Sequence, residues 1–499
     1  MTLFATIPFL FAATFTRPLE RVTTMDPAFA QAVYESRAIQ LVYETPLTVD
    51  YDARPYRLAP GACELPSVST NGLTYIFKLR SSDLTAADIA RSLERLRDPA
   101  LVSPNGWMLK SVSTIKALDK KTLRIDLKQP CHFFPWLMAM SPASILKPDG
   151  TGTGPYVLTS WRKNHEMLFT RRGSFRDTSS AEQHFDTIRY LVIDDASTRW
   201  LMFLKGEVDF LSEVSRDNWD AIIKSDGTLC DELTFQGIRL YTHPTLETMY
   251  IGINMRDPIL GSNKKLRQAL NAAFNFPEWK CFYSSRIIAS TGPVPPGIEG
   301  SLSTPFAYSF DLAKARELIA AAGYPNGIDP ATGRRLTLTM SIGRASQDTR
   351  EAGELVASFF DKIGVRLELT FYTWNAFLKA VDEGRVQMFN MGWVGDYPDS
   401  ENFLQLFYSK NVSPGPNHSN YENPLYDAEY DAAMRGETAA ERNIHWARCQ
   451  EIIREDCPWV FTHVNLASTL VRKRVGNYKP SAFSYGQERF LTVMEDDDK

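Results

Sequence analysis

Apolar and polar positions along this chain change period several times, and each change marks an element. Residues 73–79 (LTYIFKL) follow the turn pair Asn71-Gly72 and alternate like a half-buried strand. Thr85 then stands where a helix N-cap belongs, with Asp88 three positions on and Ile89, Leu93 and Leu96 along one face. Asp98-Pro99 stops that helix. In a hairpin over residues 115–127, Leu123, Ile125 and Leu127 alternate with charged residues. Strand patterns at 156–158, 167–170 and 188–193 follow the Gly/Pro turn at 152–155, and a helix over 197–205 leads into Val208-Asp209-Phe210.

The second half is more regular. Asp311 caps a helix carrying Leu312, Ala315, Leu318 and Ile319, with Gly323 at its stop and Pro325 beyond. A strand over 336–342, a helix over 347–363 ended by Gly364, a strand over 365–371, a helix from Thr373 to Gly384 and a strand over 386–393 then alternate. This order predicts parallel strands joined by right-handed crossovers. Ligands of such open sheets sit outside the carboxyl ends of the strands, and two charged residues fall there: Arg344 after the first strand and Asp396 after the third.

The 499 residues exceed what one hydrophobic core organises, and about two or three domains are expected. With 44% hydrophobic and 23% charged residues and a net charge of −4, the composition is that of a globular protein. Acidic and basic residues are mixed, without the concentrated basic surface of a nucleic-acid binder. No apolar run reaches the length that spans a bilayer. Residues 3–15 match a signal-peptide core in length but no Lys or Arg precedes them, so they read either as a shortened signal peptide or as a buried strand. The acidic tail 495–499 reads as solvated.

The six cysteines lie far apart, with no Cys-x-x-Cys and no Cys/His cluster at zinc spacing, and the seven histidines show no paired spacing; no metal and no cofactor is expected. Cys449 and Cys457 sit on one predicted helix about 12 Å apart, beyond disulfide reach unless the helix ends between them. Gly152 and Gly154 are not followed by Lys-Ser/Thr, which excludes a phosphate loop, and no nucleophile elbow or metalloprotease motif occurs.

An ordered set of segments carries a resemblance. It runs from Met25-Asp26-Pro27-Ala28 through Asn71-Gly72-Leu73-Thr74-Tyr75, Leu84-Thr85-Ala86-Ala87-Asp88 and Gly152-Thr153-Gly154-Pro155-Tyr156. Tyr250-Ile251-Gly252-Ile253-Asn254, Leu266-Arg267-Gln268-Ala269-Leu270, Gly292-Pro293-Val294-Pro295-Pro296-Gly297 and Gly392-Trp393-Val394-Gly395-Asp396-Tyr397-Pro398-Asp399 follow. Over nearly its whole length the chain resembles the family 5 extracellular solute-binding proteins, the peptide, dipeptide and nickel-type receptors of ABC importers. It departs from the family in the short link Arg80-Ser81-Ser82-Asp83, in a shortened stretch at 142–150 and in lacking a lipid-attachment cysteine.

The resemblance implies an α/β fold of the two-lobed periplasmic-binding-protein clamp, type II-like, with an inserted subdomain. The expected N-terminal lobe is 1–40, 150–249 and 464–499, with the insertion at 41–149 and the C-terminal lobe at 250–463. It further implies a monomer outside the cytoplasmic membrane that is not an enzyme, captures short peptides by hinge closure and delivers them to an ABC permease and its ATPase. Asp396 stands where relatives receive the ligand's α-amino group, and Arg344 near an arginine for its carboxylate. Trp393 and Tyr397 flank the acid, and Val33 matches a segment whose backbone pairs with the peptide as in strand addition. A buried ammonium needs a carboxylate, and a guanidinium fork suits a planar carboxylate. Against these stand plainer readings: a surface loop acid at 396, a solvated helix-start arginine (Arg350 is nearby) and core packing for Trp393. The rival functions are a non-peptide solute, such as an oligosaccharide, opine-like compound or metal chelate, and a hydrolase using paired carboxylates.

Overall fold

The computed structural model describes residues 13–173, 175, 183–212, 214–224, 226–304, 306–483 and 485–494. The acidic tail and most of the apolar stretch at 3–15 therefore lie outside the described residues. The chain divides into two compact units, one gathering residues 1–53, 57–243 and 468–499, the other 54–56 and 244–467.

In the first unit, β1 (Thr14–Leu19) precedes α1 (Val33–Val42). A separate antiparallel sheet is built from β2 (Ser67–Val68), β3 (Thr74–Lys78), β4 (Val112–Ala117) and β5 (Thr122–Leu127), in the order β2-β3-β5-β4. Helix α2 (Ala86–Glu94), between β3 and β4, is held by the capping box read from sequence: Thr85 and Asp88 exchange side-chain and backbone hydrogen bonds. Then come β6 (Tyr156–Arg162), β7 (Glu166–Arg171), β8 (Thr187–Val192) and α3 (Ala196–Lys205). β1 pairs parallel with β8, and β8, β7 and β6 pair antiparallel in turn. Phe15, Leu41, Tyr156, Phe169, Ile188 and Tyr190 are among the residues of the core this sheet shares with α1.

The glycines of the 152–155 turn are packing glycines. A Cβ on Gly152 would lie 2.1 Å from the Val42 carbonyl oxygen and one on Gly154 2.6 Å from the Val42 carbonyl carbon, because the turn crosses the end of α1. Gly154 donates its N–H to that Val42 oxygen at 2.8 Å.

Two long strands run through the unit boundaries: β9 (Ile238–Ile253) and, at the far end of the chain, a strand over Trp459–Arg472. In the second unit the alternation read from the sequence is present as β10 (Thr337–Ile342), α4 (Gln347–Asp361), β11 (Arg366–Phe371), α5 (Trp374–Asp382) and β12 (Met388–Val394). β10 pairs parallel with both β11 and β12, and β12 continues antiparallel onto β9 from Glu247 opposite Val394 to Ile253 opposite Met388. Apolar residues of both helices, Phe359, Phe360, Phe377 and Val381, are fully or nearly fully buried. Short helix α6 (Glu401–Leu404), then α7 (Pro424–Arg435) and α8 (Ala439–Asp456), lead to β13 (Trp459–Arg472). Cys457 is the left-handed C-cap of α8, and none of the six cysteines is joined in a disulfide.

Candidate functional site

The carboxyl ends of β10 and β12 carry the charged residues that the strand order placed there. Ile342 is level with Asn390, so β12 runs four residues further, to Val394, before the chain reaches Asp396. Two glycines let this end pack closely. A Cβ on Gly392 would meet the Met249 sulfur at 2.4 Å, and one on Gly395 the Phe403 ring at 2.8 Å. Gly395 also donates its N–H to the Leu246 oxygen at 2.7 Å, prolonging the β9 pairing to the residue before the acid.

Asp396 keeps its side chain open to solvent, while the surrounding protein strips away enough water to push its carboxyl pKa above the usual carboxylate value. The opposing influence is the side-chain amide of Asn402. Among the described residues no Lys, Arg or His forms an ion pair with Asp396.

Asn402, on α6, is fully buried and ties the site together. Its Oδ1 accepts from Trp393 Nε1 at 3.0 Å and from the Asp396 backbone N–H at 3.1 Å. Beneath it Glu401 accepts from the hydroxyls of Tyr397 and of Tyr430, the latter at 2.6 Å. Burial, with the Glu401 charge reinforcing it, pushes both phenols well above their ordinary pKa.

The residues singled out from sequence separate on this geometry. Trp393 is half-buried beside the acid, its indole oriented by Asn402. Tyr397 is turned into the interior and bound to Glu401, so it supports the loop and does not line an open surface. Arg344 is exposed in the loop after β10, where its backbone oxygen accepts from Thr349 Oγ1 at 2.8 Å. Arg350 lies over the Phe371 ring at 4.5 Å. Val33 belongs to the other unit and is the exposed first residue of α1. Its backbone opens the helix directly after the extended Ala32, and the first N–H groups of a helix have no partner within it.

Asn402 and Glu401 were missed from sequence. Neither belongs to a spacing pattern, and the signal that could have found Asn402 is its place in the short segment after the Gly-Trp-Val-Gly-Asp run. Among the described residues no group of His, Cys, Asp and Glu is arranged to hold a metal ion. A cavity of about 330 Å³ lies in the first unit, bordered by Asp50, Tyr51, Arg80 and Arg489. It contains none of the residues just described.

Comparison with known proteins accounts for the architecture. The glutathione-binding protein GsiB of Escherichia coli K12 is 26% identical over 466 residues, covering 88% of this chain and 86% of that protein. HbpA2 from Haemophilus parasuis superposes with a TM-score of 0.84 at 23% identity, over 97% of this chain and 100% of its own. The periplasmic binding protein DppA from Helicobacter pylori, in complex with the peptide STSA, gives 0.73 at 23% identity over 97% and 98%. The mixed α/β fold is that of the periplasmic binding proteins. No helix among the described residues is long and apolar enough to cross a membrane. The model of the bacterial extracellular solute-binding proteins, family 5 Middle, matches residues 57–415, and the chain belongs to that family.

Proposed function

We propose that this chain captures short peptides outside the cytoplasmic membrane and passes them to an ABC permease and its ATPase, with Asp396 receiving the peptide's free α-amino group. The observation that carries the reading is Asp396 itself: an accessible carboxylate at a strand end, partly stripped of water, with no ion pair among the described residues. A carboxylate in that condition is stabilised by a ligand that brings its own cation. An ammonium suits it, since a charge-assisted hydrogen bond contributes about 1.5–3 kcal/mol. The half-buried Trp393 indole beside it offers an apolar surface to the first side chain. The exposed Arg344 guanidinium, on the loop after the neighbouring strand, has the fork geometry that carboxylates require.

GsiB, named for glutathione, and DppA, crystallised with a tetrapeptide, both take ligands with a free amine and a free carboxylate. The same chemistry fits the charges on the two loops here. The test is calorimetric titration with glutathione and Ser-Thr-Ser-Ala, each with its amine free and acetylated. Binding of a free-amine form that acetylation weakens by about tenfold or more supports the reading. Binding indifferent to acetylation removes Asp396 from it, and a copurified sugar identified by native mass spectrometry would replace peptide with another solute.

A further inference from the structure

The cavity in the first unit takes no residue of the strand end that carries Asp396, and both signs of charge line it. One side is a hairpin of two short antiparallel strands, Leu47–Val49 and Leu58–Pro60, with Thr48 opposite Ala59. The C-terminal segment is fastened to that hairpin. Tyr51 stacks on Phe490 at 4.5 Å and 15°, and its hydroxyl donates to the Asn477 oxygen and accepts from the Lys479 N–H, each at 2.8 Å. The walls are thus held by the protein's own contacts. The volume of about 330 Å³ is at the small end of ligand sites, which run from about 300 to 1,000 Å³.

Two guanidiniums and one carboxylate converge there. Arg489 donates to Thr48 Oγ1 at 2.8 Å and lies 4.7 Å over the Phe490 ring. Arg80 donates to the Pro60 and Gly61 oxygens at 3.2 and 3.3 Å, with its Nε 3.5 Å from Glu64. Of the bordering acids, Asp52 is paired with Lys479, and Glu44 accepts from the Thr153 hydroxyl at 2.6 Å. Asp50 differs. Its Oδ1 accepts from the backbone N–H groups of Asp52 and Ala53 at 2.9 and 3.2 Å, which fixes the carboxylate. Its Oδ2 accepts no hydrogen bond, and no Lys, Arg or His among the described residues forms an ion pair with it.

We propose that this cavity binds one free amino acid with an aromatic side chain, its ammonium on Asp50, its carboxylate on Arg489 and Arg80, and its ring against Tyr51 and Phe490. The spacing suits a zwitterion. Asp50 stands two residues beyond Thr48, where Arg489 is anchored, about 7 Å along extended chain. A charge-assisted contact of about 2.8 Å at each end, with the ligand's α-carbon between, fills that span. An anion without an amine meets the Asp50 charge, and a cation without a carboxylate meets the two arginines. A peptide separates its end charges by roughly 3.3 Å more for each added residue. The two stacked rings present edges and a face to an incoming ring. The site is separate from the peptide's and does not rest on that reading.

The experiment is calorimetric titration of the full chain with L-phenylalanine, N-acetylphenylalanine and phenylalaninamide. The free amino acid is expected to bind, and removal of either charge to weaken it by about tenfold or more. Asp50→Asn keeps the Oδ1 that holds its turn; it should weaken phenylalanine by about tenfold and leave N-acetylphenylalanine and Ser-Thr-Ser-Ala unchanged. Asp396→Asn should leave phenylalanine binding intact. Three results overturn the proposal: no binding of phenylalanine at millimolar concentration, equal affinity for all three compounds, or binding lost in Asp396→Asn and kept in Asp50→Asn, which would put the amino acid in the peptide's site. If Asp50→Asn fails to fold, the three compounds on the wild type and phenylalanine on Asp396→Asn decide. If Ser-Thr-Ser-Ala fails to bind the wild type, the peptide reading falls and the phenylalanine result still decides this site.

Discussion

Acid should weaken this protein through one histidine. His463 lies on β13, almost fully buried. Its Nδ1 faces Trp279 Nε1 at 3.1 Å, and since an indole nitrogen only donates, Nδ1 must be the unprotonated nitrogen. The Tyr283 ring stands 5.0 Å away. Burial lowers the imidazole pKa from 6.5 to about 4, against an opposing upward pull from Asn465. Protonation would bury a charge and set two N–H groups against each other. The group is a base with a depressed folded-state pKa, so the unfolded chain binds the extra proton first. Stability is therefore full above about pH 6.5 and is lost as pH falls towards about 4. At about 1.4 kcal/mol per unit, that interval amounts to about 3 kcal/mol. His463→Gln keeps a polar side chain at the position and cannot titrate. Urea unfolding of both proteins from pH 7.5 to pH 4, followed by tryptophan fluorescence, isolates the term from the carboxylates they share. The stability gap between wild type and variant should shrink by about 3 kcal/mol over that range. A gap that stays constant with pH would show that the ring is not held neutral by burial.

Other substitutions test the packing. Gly364 has φ of +84°, and a Cβ there would lie 2.0 Å from the Asn326 oxygen, so Gly364→Ala should cost more than about 2 kcal/mol and lower Tm measurably. Arg17 and Glu488 form a buried ion pair at 2.8 Å. Glu488→Gln should destabilise by about 3–5 kcal/mol in denaturant titrations, and Arg17→Met with Glu488→Leu should recover much of it. Among the thiols Cys281 is exposed, while burial raises the pKa of Cys449 and Cys457 far above the ordinary value. A thiol reagent should therefore show a fast phase that Cys281→Ser removes, with Cys449 and Cys457 reacting only on unfolding.

What was legible before the structure follows from the range of the forces involved. Thr85 with Asp88, and Asp311 before its helix, announce helix starts because a cap is made within three residues, and both caps are present. The strand and helix order from β10 to β12 was legible because each element buries one periodic face, and it located the two loops at the sheet's carboxyl end. The first half of β9 was not read as strand, since Pro244 interrupts the pattern and a proline removes a ladder donor. Glu401 and His463 were invisible for another reason. Their roles depend on partners brought in by other strands and helices, and a lone Glu or His in a sequence carries no sign of them.

The ligand-binding reading turns on whether Asp396 and a peptide's amine recognise each other, and a double-mutant cycle measures that directly. Wild type and Asp396→Asn are each titrated at pH 7.5 with Ser-Thr-Ser-Ala and its N-acetylated form. The account predicts that the substitution weakens the free-amine peptide by about 10- to 150-fold, a coupling of about 1.5–3 kcal/mol, and leaves the acetylated peptide nearly unaffected. Equal losses for both peptides, or none for either, would contradict it.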